Sequence, residues 1–514
     1  MASFAAIDVG SNALRLRIAE AEKPREGDGS PVADWKEIAS QRIPVRLGHD
    51  VFLNAMLAPA AISSACEALR SFRDAMDGAK VDRYRAVATS AVREAKNGFL
   101  LVERAEREAG VVLEVIEGIE EARLIRRAVE RRFGKLDRPA LLFDIGGGST
   151  ELSLVDRGHI EFSRSLAIGT VRLLEAFLER DRPLGRRQTT LIKEYVDRVL
   201  GEAMPELQVV STAQLLIGTG GNIETLAQLC PASDPFGAAI DVERLRSMLP
   251  KLAALAPSAR AVEYGLKPDR ADVIVPAAHI VLRIAELCHA SSVVAPDVGL
   301  KEGILEDLYA QHFARWDWSG EVEAVMEACL RLGRRYHFDE AHGQLVAHLA
   351  TRLFDQLKQR HGLGRRERLI LQAAALLHDV GDFVRYEGHH KHSYYIIEHS
   401  DLMGLTPMER TLVANVARYH RKSPPDVSHA NFRDLDRDGK RTVRALAAIL
   451  RVADALDREH LGKVQDLRLS LVNGSARIRL DSPPDVELEE WTVEHKASMF
   501  RDVFDLEVDL VVKG

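Results

Sequence analysis

The sequence has few cysteines and no long apolar runs. Four cysteines occur among 514 residues and none forms a Cys-x-x-Cys pair, which excludes a disulfide framework and a zinc ribbon. No segment reaches the ~18 consecutive apolar residues that a membrane-spanning helix needs, and the first residues lack the layout of a signal peptide. We therefore expect a cytoplasmic protein with no membrane partner.

An excess of positive charge is also absent. The net charge is -7 at pH 7, which argues against a general nucleic-acid binder, so a phosphate-rich ligand would need a local basic patch. The hydrophobic content of 46% and charged content of 29% are typical of globular proteins. Because single hydrophobic cores stop growing near ~250 to 300 residues, the length predicts three or four domains.

Two segments of the chain repeat one pattern. AAIDVGSNALRLRI (5–18) and LLFDIGGGSTELSLV (141–155) each read as an apolar strand, an Asp, a glycine-containing turn and an alternating strand. Glycine leaves successive backbone N–H groups unshielded, so such a turn can bind an anion. One such turn alone is more typical of a plain β-hairpin. The Asp at the same point in both copies favours two facing loops that hold phosphate and a metal.

Three further segments suit the same site. ATSAVREAKN places Ser90 and Arg93 at the start of a helix, where the helix dipole favours anions, although a surface arginine with a Ser cap fits equally well. GIEEARLI begins a helix at Gly118 with Glu120 and Glu121, which are ordinary partners of the helix dipole in the simplest interpretation. LLIGTGGNIETLAQL reads as a strand, a glycine loop and a helix.

Taken in order, these motifs resemble those of the exopolyphosphatase and guanosine pentaphosphate phosphatase family. The resemblance spans residues 5–305, through DVGSN, ATSAVREAKN, GIEEARLI, DIGGGSTEL, GTGGNIETLA, RADVIVPAAHIVLRI and DVGLKEGIL. It implies the fold shared by acetate kinase, sugar kinases, heat-shock proteins and actin. Lys301 stands where the last motif is expected to have arginine, so a basic residue is kept.

The resemblance also implies a mechanism, the hydrolysis of a terminal phosphoanhydride by an in-line water. It assigns Glu121 as the general base. It implies that Asp144 and Glu151 hold Mg²⁺, with Asp8 assisting through water. The residues implied to bind the phosphate chain are Ser11, Asn12, Arg93, Gly146, Gly147, Gly148, Ser149 and Thr150.

Beyond residue 306 the sequence has long helical periodicity and many histidines. His378 and Asp379 are adjacent, and with His342 and Asp454 they resemble the HD superfamily of metal-dependent phosphohydrolases. Any single histidine in a helical region is more often a packing or surface residue. We treat the four side chains as a candidate site for a second divalent metal, with a purely structural role as the alternative.

The same region resembles the C-terminal half of longer members of the exopolyphosphatase family. In that family such helices are often read as lining a basic path for polyphosphate at a dimer interface. The resemblance implies a homodimer, and a monovalent cation such as K⁺ is a further candidate cofactor. The candidate path residues are His389, His390, Lys391, His392, Arg421 and Lys422.

The C-terminal segment LRLSLVNGSARIRL alternates on both sides of Asn473 and Gly474, which predicts a β-hairpin. A helical run and a final strand follow it. The predicted organisation is therefore two actin-like (ribonuclease H-like) α/β domains, an all-α HD-like domain and a small α+β domain. Their predicted bounds are 1–135, 136–305, 306–460 and 461–514.

This organisation predicts an Mg²⁺-dependent exopolyphosphatase that releases orthophosphate from inorganic polyphosphate in the cleft between the first two domains. Chain length favours polyphosphate by fold analogy. Three alternatives stay open. The first is a guanosine pentaphosphate 5'-phosphatase, and the second is an actin-like sugar kinase, which would need an adenine pocket and an acceptor Asp. The third is a non-catalytic sensor of guanosine polyphosphates.

Overall fold

The structure is a computed structural model that describes residues 1–22, 35–134, 136, 138–156, 159–178, 181–202, 215–313, 318–472, 474–481 and 485–512. The chain divides into two compact units, residues 1–317 and 318–514. The predicted domain boundary at Lys135 and the predicted turn residue Asn473 lie outside the described residues.

The first unit begins with a five-stranded sheet in the order β3-β2-β1-β4-β5. Strand β1 is buried along its whole length, as expected for an apolar central strand, whereas the alternating sequence LRLRIAEA of β2 leaves every second residue less buried over its first half. β1 pairs antiparallel with β2 and parallel with β4. The strands are β1 (Ala2–Val9), β2 (Leu14–Ala21), β3 (Lys36–Ile43), β4 (Arg83–Ala88) and β5 (Leu113–Val115).

A second sheet of seven strands has the order β10-β11-β12-β9-β6-β7-β8. β6 pairs antiparallel with β7 and parallel with β9. The strands are β6 (Ala140–Ile145), β7 (Thr150–Asp156), β8 (His159–Leu166), β9 (Leu215–Thr219), β10 (Pro231–Asp234), β11 (Gly237–Asp241) and β12 (Ser292–Val294).

The two sheets repeat one topology. In each, three antiparallel strands are followed by two parallel strands, so that β8-β7-β6-β9-β12 has the same arrangement as β3-β2-β1-β4-β5. The register also repeats: Asp8 pairs with Arg15 in the first sheet, and Asp144 pairs with Glu151 in the second. The sequence repeat that predicted two related α/β domains therefore corresponds to a repeated strand order and register.

Helices cover these sheets, and each sheet has its own hydrophobic core. The helices of the first unit are α1 (Gly48–Asn54), α2 (Pro59–Gly78), α3 (Ser90–Glu94), α4 (Gly98–Ala109), α5 (Gly118–Phe133), α6 (Thr170–Phe177), α7 (Arg186–Glu202), α8 (Gly221–Leu229), α9 (Val242–Ala253), α10 (Pro257–Glu263), α11 (Pro268–Ala271), α12 (Ile274–Leu287) and α13 (Leu300–His312). The mixed α/β character predicted for this part of the chain is confirmed.

The second unit is mainly helical. Its helices are α14 (Trp318–Arg335), α15 (Glu340–Gln356), α16 (Lys358–His361), α17 (Arg365–Leu377), α18 (His389–Glu398), α19 (Pro407–Arg418), α20 (Ala430–Arg433), α21 (Arg437–Ala455), α22 (Glu487–Lys496) and α23 (Ser498–Phe504), with a 3₁₀ turn at Val380–Phe383. Helix α21 is buried along most of its length, as its run of Ala, Leu, Ile and Val residues predicts.

A three-stranded sheet completes this unit. Strands β13 (Asp466–Val472) and β14 (Ser475–Asp481) form the antiparallel hairpin that the alternating pattern predicts, and β15 (Glu507–Val512) pairs parallel with β14. The four cysteines are buried and free. Among the described residues, no helix is both long enough and apolar enough to span a membrane.

Candidate active site

Two loops at equivalent positions of the two sheets face each other. The first joins β1 to β2 and closes with a hydrogen bond from Gly10 N–H to the Ala13 carbonyl (3.2 Å), and the second joins β6 to β7 with the bond from Gly146 N–H to the Ser149 carbonyl (3.0 Å). Each loop follows directly on the strand that carries Asp8 or Asp144. The shared backbone geometry is what the repeated sequence pattern predicts.

The glycines of the second loop allow the two loops to approach closely. A β-carbon added to Gly147 would lie 2.9 Å from Cβ of Ser11, and one added to Gly148 would overlap the hydroxyl of Ser90. The hydroxyls of Ser11 and Ser90 are themselves 3.0 Å apart. Close packing between the loops therefore requires glycine here, a reason that the sequence alone did not show. Phosphate binding by these N–H groups stays a prediction.

Three carboxylates converge beside these loops. Oxygen atoms of Glu121, Asp144 and Glu151 all lie within 4.8 Å of one another. The start of α5 brings Glu121 to this point because Gly118 packs against Ser165 of β8 with no room for a side chain. Glu121 is 6% exposed and Glu151 only 2%. The structure thus places the predicted base next to both predicted metal ligands.

The hydrogen bonds of this cluster leave two oxygens unpaired. Thr219 donates a 2.5 Å hydrogen bond to Oδ1 of Asp144, and Ser165 donates a 2.8 Å hydrogen bond to Oε1 of Glu151. Within the described part of the chain, Oε2 of Glu121 and Oε2 of Glu151 are buried and have no hydrogen-bond partner. An unpaired buried carboxylate oxygen is costly, so this donor set suits a hard cation.

Burial and mutual repulsion perturb all three groups. Burial raises the pKa of Asp144 to about 6, with the neighbouring charge of Asp8 adding to the effect. Burial and the charges of Glu151 and Asp144 raise the pKa of Glu121 well above its usual range. Perturbed titratable groups of this kind cluster at functional sites.

Asp8 has a different environment from its counterpart Asp144. Arg15 donates a 2.7 Å hydrogen bond to Oδ2 of Asp8, so the first loop carries an ion pair where the second carries the acidic pair of Asp144 and Glu151. The repeated register places Arg15 where the second sheet has Glu151. The two copies have therefore diverged in charge.

The other predicted phosphate ligands lie around the same loops. Arg93 donates a 2.6 Å hydrogen bond to the carbonyl of Ile116, just before α5. Asn12 is 9% exposed, and its Oδ1 is buried without a partner among the described residues. Ser149 is also buried, whereas the hydroxyl of Thr150 is engaged in a 2.5 Å hydrogen bond to the Ile168 carbonyl. The structure brings these side chains to one region.

Residues 26–312 match the model of the Ppx/GppA phosphatase family, and residues 326–496 match the model of domain III of the Ppx/GppA phosphatases. The chain belongs to the Ppx/GppA phosphatase family. It is therefore a member of a family of phosphatases, hydrolases that act on phosphoanhydrides.

Several relatives are similar over long stretches. A guanosine-5'-triphosphate,3'-diphosphate pyrophosphatase of Vibrio vulnificus (strain YJ016) is 27% identical over 445 residues, which is 86% of this chain and 85% of that protein. An exopolyphosphatase from Cytophaga hutchinsonii ATCC 33406 is 26% identical and covers 60% of this chain and 98% of its own, with a TM-score of 0.53. The Aquifex aeolicus family member is 28% identical over 60% of this chain and 98% of its own, with a TM-score of 0.49.

Sequence reasoning missed several residues that shape this Ppx/GppA site. Gly169 packs against the backbone of Gly147 and Gly148, where any β-carbon would overlap. Arg172 donates a 2.7 Å hydrogen bond from Nε to the Gly148 carbonyl and pairs with Glu94 at 2.6 Å. The sequence does show a glycine directly before α6, a strand–glycine–helix pattern that could have drawn attention to Gly169.

The third predicted glycine loop lies at the edge of the same cluster. Gly220 has φ +96°, and an added β-carbon would lie 3.4 Å from Oδ1 of Asp144. At the start of α8, Arg270 donates a 3.1 Å hydrogen bond to Oδ1 of Asn222. Gly220 therefore lies beside Asp144 of the acidic cluster, and Arg270, which α11 supplies, contacts the next residues of the loop, Gly221 and Asn222.

In the second unit, the structure brings together the four predicted members of the candidate metal site. Nε2 of His342 lies 3.2 Å from Nε2 of His378 and 3.8 Å from Oδ2 of Asp379. Oδ1 of Asp454 lies 3.5 Å from Nε2 of His378. Both histidines are buried.

The residues predicted to line a polyphosphate path differ in burial and in charge. His389 is buried rather than part of an exposed patch, and burial with nearby cations lowers the pKa of His390 to about 4, so that this ring is neutral near pH 7. His390, Lys391 and His392 are consecutive on α18, so they point about 100° apart around the helix. The path stays a prediction.

Proposed function

We propose that this Ppx/GppA protein is an exopolyphosphatase, which hydrolyses the terminal phosphoanhydride of inorganic polyphosphate and releases orthophosphate. The observation that carries the proposal is the convergence of Glu121, Asp144 and Glu151 within 4.8 Å beside two facing glycine loops. Three carboxylates, two of them on buried residues, have no structural reason to lie so close without a cation or a proton between them. A phosphoanhydride hydrolase needs such a place for a cation and a base.

Mg²⁺ is the cofactor that we propose for this site. Asp144 and Glu151 would hold it, because both offer carboxylate oxygens and one buried oxygen of Glu151 has no partner among the described residues. When bound, the ion offsets the charge of the phosphate oxygens. Asp8 is paired with Arg15, so we assign it an indirect contact through water.

Glu121 is the proposed general base. Its free Oε2 takes a proton from water as the water oxygen bonds to the terminal phosphorus and the bridging P–O bond breaks. The displaced oxygen stays on the shortened chain. Glu121 lies on the first turn of α5, and its carboxylate is held in place because Gly118 packs that turn against β8.

The facing loops are the proposed cradle for the terminal phosphates. Ser11 and Asn12 act from the first loop, and the N–H groups of Gly147 and Gly148 act from the second, with Ser149 and Thr150 at its end. Gly146, also predicted to bind phosphate, shapes the loop instead, because its N–H donates to the Ser149 carbonyl. Arg93 lies close enough to the acidic cluster for its charge to act on Glu121 and Glu151. Positioning of this kind supplies much of the acceleration in phosphoryl transfer.

A second substrate, guanosine pentaphosphate, is favoured by one observation. The Vibrio vulnificus relative, a guanosine-5'-triphosphate,3'-diphosphate pyrophosphatase, aligns over 86% of this chain. The loop at Gly220 with Asn222 and Arg270 would then be the place for groups beyond the terminal phosphate. The same carboxylates would carry out the reaction on either substrate.

The deciding experiment incubates the purified chain with Mg²⁺ and either long-chain polyphosphate or guanosine pentaphosphate, and measures orthophosphate and product length. Release from polyphosphate with long remaining chains supports the exopolyphosphatase. Release from the guanosine compound alone changes the substrate and keeps the mechanism. Saturable binding without release would support the sensor, and ATP-dependent phosphorylation of a polyol would support the sugar kinase.

Four further expectations belong to the same proposal. We propose a homodimer, an HD-like character for the helical second unit with a small α+β domain at its end, and stimulation by a monovalent cation such as K⁺. We also propose a cytoplasmic location. Light scattering of the purified chain tests the dimer, and phosphate release with K⁺ replaced by Na⁺ tests the cation.

A further inference from the structure

Four imidazole rings of the second unit point at one carboxylate. Nε2 of His378 lies 3.4 Å from Oδ2 of Asp379, on the side where His342 also lies. On the other side, Oδ1 of Asp379 lies 3.0 Å from Nε2 of His389 and 3.4 Å from Nε2 of His420. The two oxygens of Asp379 therefore face two different pairs of histidines, one of which was not anticipated from the sequence.

The opposite nitrogen of every ring is already used. Nδ1 of His378 lies 2.7 Å from the Ala375 carbonyl, and Nδ1 of His420 lies 2.7 Å from the Ala417 carbonyl. Nδ1 of His342 lies 2.8 Å from Asp457, and Nδ1 of His389 lies 2.5 Å from Asp382. Because a carbonyl can only accept, the Nδ1 atoms of His378 and His420 carry hydrogen, which leaves an Nε2 lone pair in the neutral ring.

The inward-facing nitrogens lie against one another in pairs. Nε2 of His389 and Nε2 of His420 are 3.1 Å apart, so two lone pairs would oppose each other between neutral rings. Oδ1 of Asp379 is buried and accepts no hydrogen bond from any described residue. Two ligand nitrogens on one metal at the usual ~2.0 to 2.1 Å and a right angle are separated by ~3 Å, close to what is seen here.

We propose that this cluster binds two divalent transition-metal ions, bridged by Asp379, and that their open side holds a phosphate group. The first ion takes His342, His378, Oδ2 of Asp379 and Asp454. The second takes Oδ1 of Asp379, His389 and His420. Imidazole with carboxylate favours Mn²⁺, Fe²⁺, Co²⁺ or Zn²⁺ over Mg²⁺, and outward Nδ1 hydrogen bonds are the usual support for ligating histidines.

A cavity of about 500 Å³ opens onto the cluster, and this volume is suited to a ligand of nucleotide size. Its lining includes Asp379, His389, His420 and Asp454, so the cluster forms part of its wall. Three cations also line it: Arg421, Arg458 and Lys496. Lys496 pairs with Oδ2 of Asp454 at 2.5 Å, leaving Oδ1 toward the histidines.

Arg421 supports an anionic ligand. Its Nη1 lies 3.2 Å from Nε2 of His389, so a positively charged side chain lies next to the proposed position of the second ion. With an ion bound there, the guanidinium would turn toward the anion in the cavity. An anion with several oxygens can contact both ions and these cations together, and phosphate has that chemistry.

The test counts metal in the full chain. Purified protein is exposed to Mn²⁺ or Zn²⁺, dialysed mildly and analysed for metal, beside Asp379→Asn, His420→Gln and the control His399→Gln, an exposed residue of the same region. The carboxylates of the first unit can also take an ion, so the count is read as a difference between variants. We expect Asp379→Asn to bind two ions fewer, His420→Gln one fewer and His399→Gln none fewer.

Equal numbers of bound metal ions in the wild type and in Asp379→Asn would overturn the proposal. A difference of one ion would mean that the centre holds a single ion, so that Asp379 does not bridge two. Because a variant could lose metal by misfolding, a second test uses the wild-type protein alone. Mn²⁺ ions ~3.5 to 4 Å apart interact magnetically, so the electron paramagnetic resonance spectrum of the Mn²⁺ protein should show a coupled pair. A spectrum of isolated ions only would also overturn the dinuclear centre.

Phosphate binding is tested by calorimetry with inorganic phosphate on the Mn²⁺-loaded chain. We expect Asp379→Asn to bind one phosphate fewer than the wild type. Glu121→Gln should still bind the phosphate that Asp379→Asn loses. If Asp379→Asn binds as many phosphates as the wild type, the cavity is not a phosphate site. Because Glu121 lies in the first unit, this result is independent of whether the proposed exopolyphosphatase activity is found.

Discussion

Glu120 and Glu121 are neighbours on the first turn of α5 and have opposite surroundings. Glu120 accepts hydrogen bonds from Arg85 (3.0 Å) and from Arg123 (2.7 Å). Glu121 faces the acidic cluster, and its Oε2 has no partner in the part of the chain that the structure describes. One residue of the pair is neutralised by arginines, and the other is left available for chemistry.

This contrast gives a matched pair of substitutions. Glu121→Gln keeps the size of the side chain but cannot accept a proton from water, so we expect phosphate release to fall by ~100- to 10,000-fold, the usual contribution of a general base. The loss of activity is measured as the rate of orthophosphate release from polyphosphate in the presence of Mg²⁺.

Glu120→Gln is the control for the same helix turn. It removes a charge from the arginine cluster and leaves Glu121 in place, so we expect lower stability and phosphate release near that of the wild type. If Glu120→Gln lost as much activity as Glu121→Gln, the assignment of Glu121 as the base would be wrong, because any disturbance of this turn would then explain the loss.

The arginines next to Glu120 also enclose Asp307 of α13. The Asp307 side chain is 1% exposed, and it contacts Arg85, Arg123 and Arg127. Removing one member of a buried ion cluster leaves charges uncompensated, at a typical cost of ~3 to 5 kcal/mol. The arginines are partly exposed, so we expect Asp307→Asn to lower the free energy of unfolding by about 3 kcal/mol. Urea unfolding measures this.

An exposed ion pair supplies the comparison. Arg73 and Asp77 lie four residues apart on α2, with side chains 40% and 59% exposed. Exposed helix pairs contribute only ~0.3 to 0.5 kcal/mol, so Asp77→Asn should shift the urea midpoint very little. Similar midpoints for both variants would mean that the Asp307 cluster is no stronger than a surface pair.

The loops provide a third prediction through Gly169. A β-carbon there would overlap the backbone of Gly147 and Gly148, which cannot rotate away as a side chain can. Gly169→Ala should displace the second loop, and a displacement of ~1 Å in a positioning element can lower a rate by ~100-fold. Phosphate release at saturating polyphosphate is the measurement.

Gly78→Ala is the control, since a β-carbon at that end of α2 meets nothing within 4 Å. We expect its activity to match the wild type. A Gly169→Ala protein with full activity would show that the loop tolerates movement and that its position does not limit the reaction.

The sequence predicted the features that depend on local pattern. The Asp–glycine–strand repeat predicted two related α/β domains and singled out Asp8 and Asp144, because residue type and spacing along a single hairpin are visible in one chain. Glu151 was assigned from the family resemblance. The alternation around Gly474 predicted the β13–β14 hairpin for the same reason.

Features that depend on distant segments were not visible. Gly169 approaches residues more than twenty positions away, and Asp307 meets arginines from two segments far earlier in the chain. Glu120 was interpreted as an ordinary partner of the helix dipole because nothing local pointed to Arg85. His389 was assigned to a basic patch, since the run around it is basic, whereas the fold buries it against His420.

The last prediction concerns acid stability and His279 on α12. Burial and nearby Lys193 lower the pKa of His279 to about 4 from its usual 6.5, and its Nε2 has no hydrogen-bond partner among the described residues. Between those values the unfolded chain binds a proton that the folded chain does not, so stability falls as pH falls from 6.5 toward 4, by at most about 1.4 kcal/mol per pH unit. His279→Leu should flatten this slope in urea midpoints measured between about pH 5 and about pH 7.5, and the exposed His399→Leu should not. An unchanged slope in His279→Leu would assign the acid sensitivity to other groups.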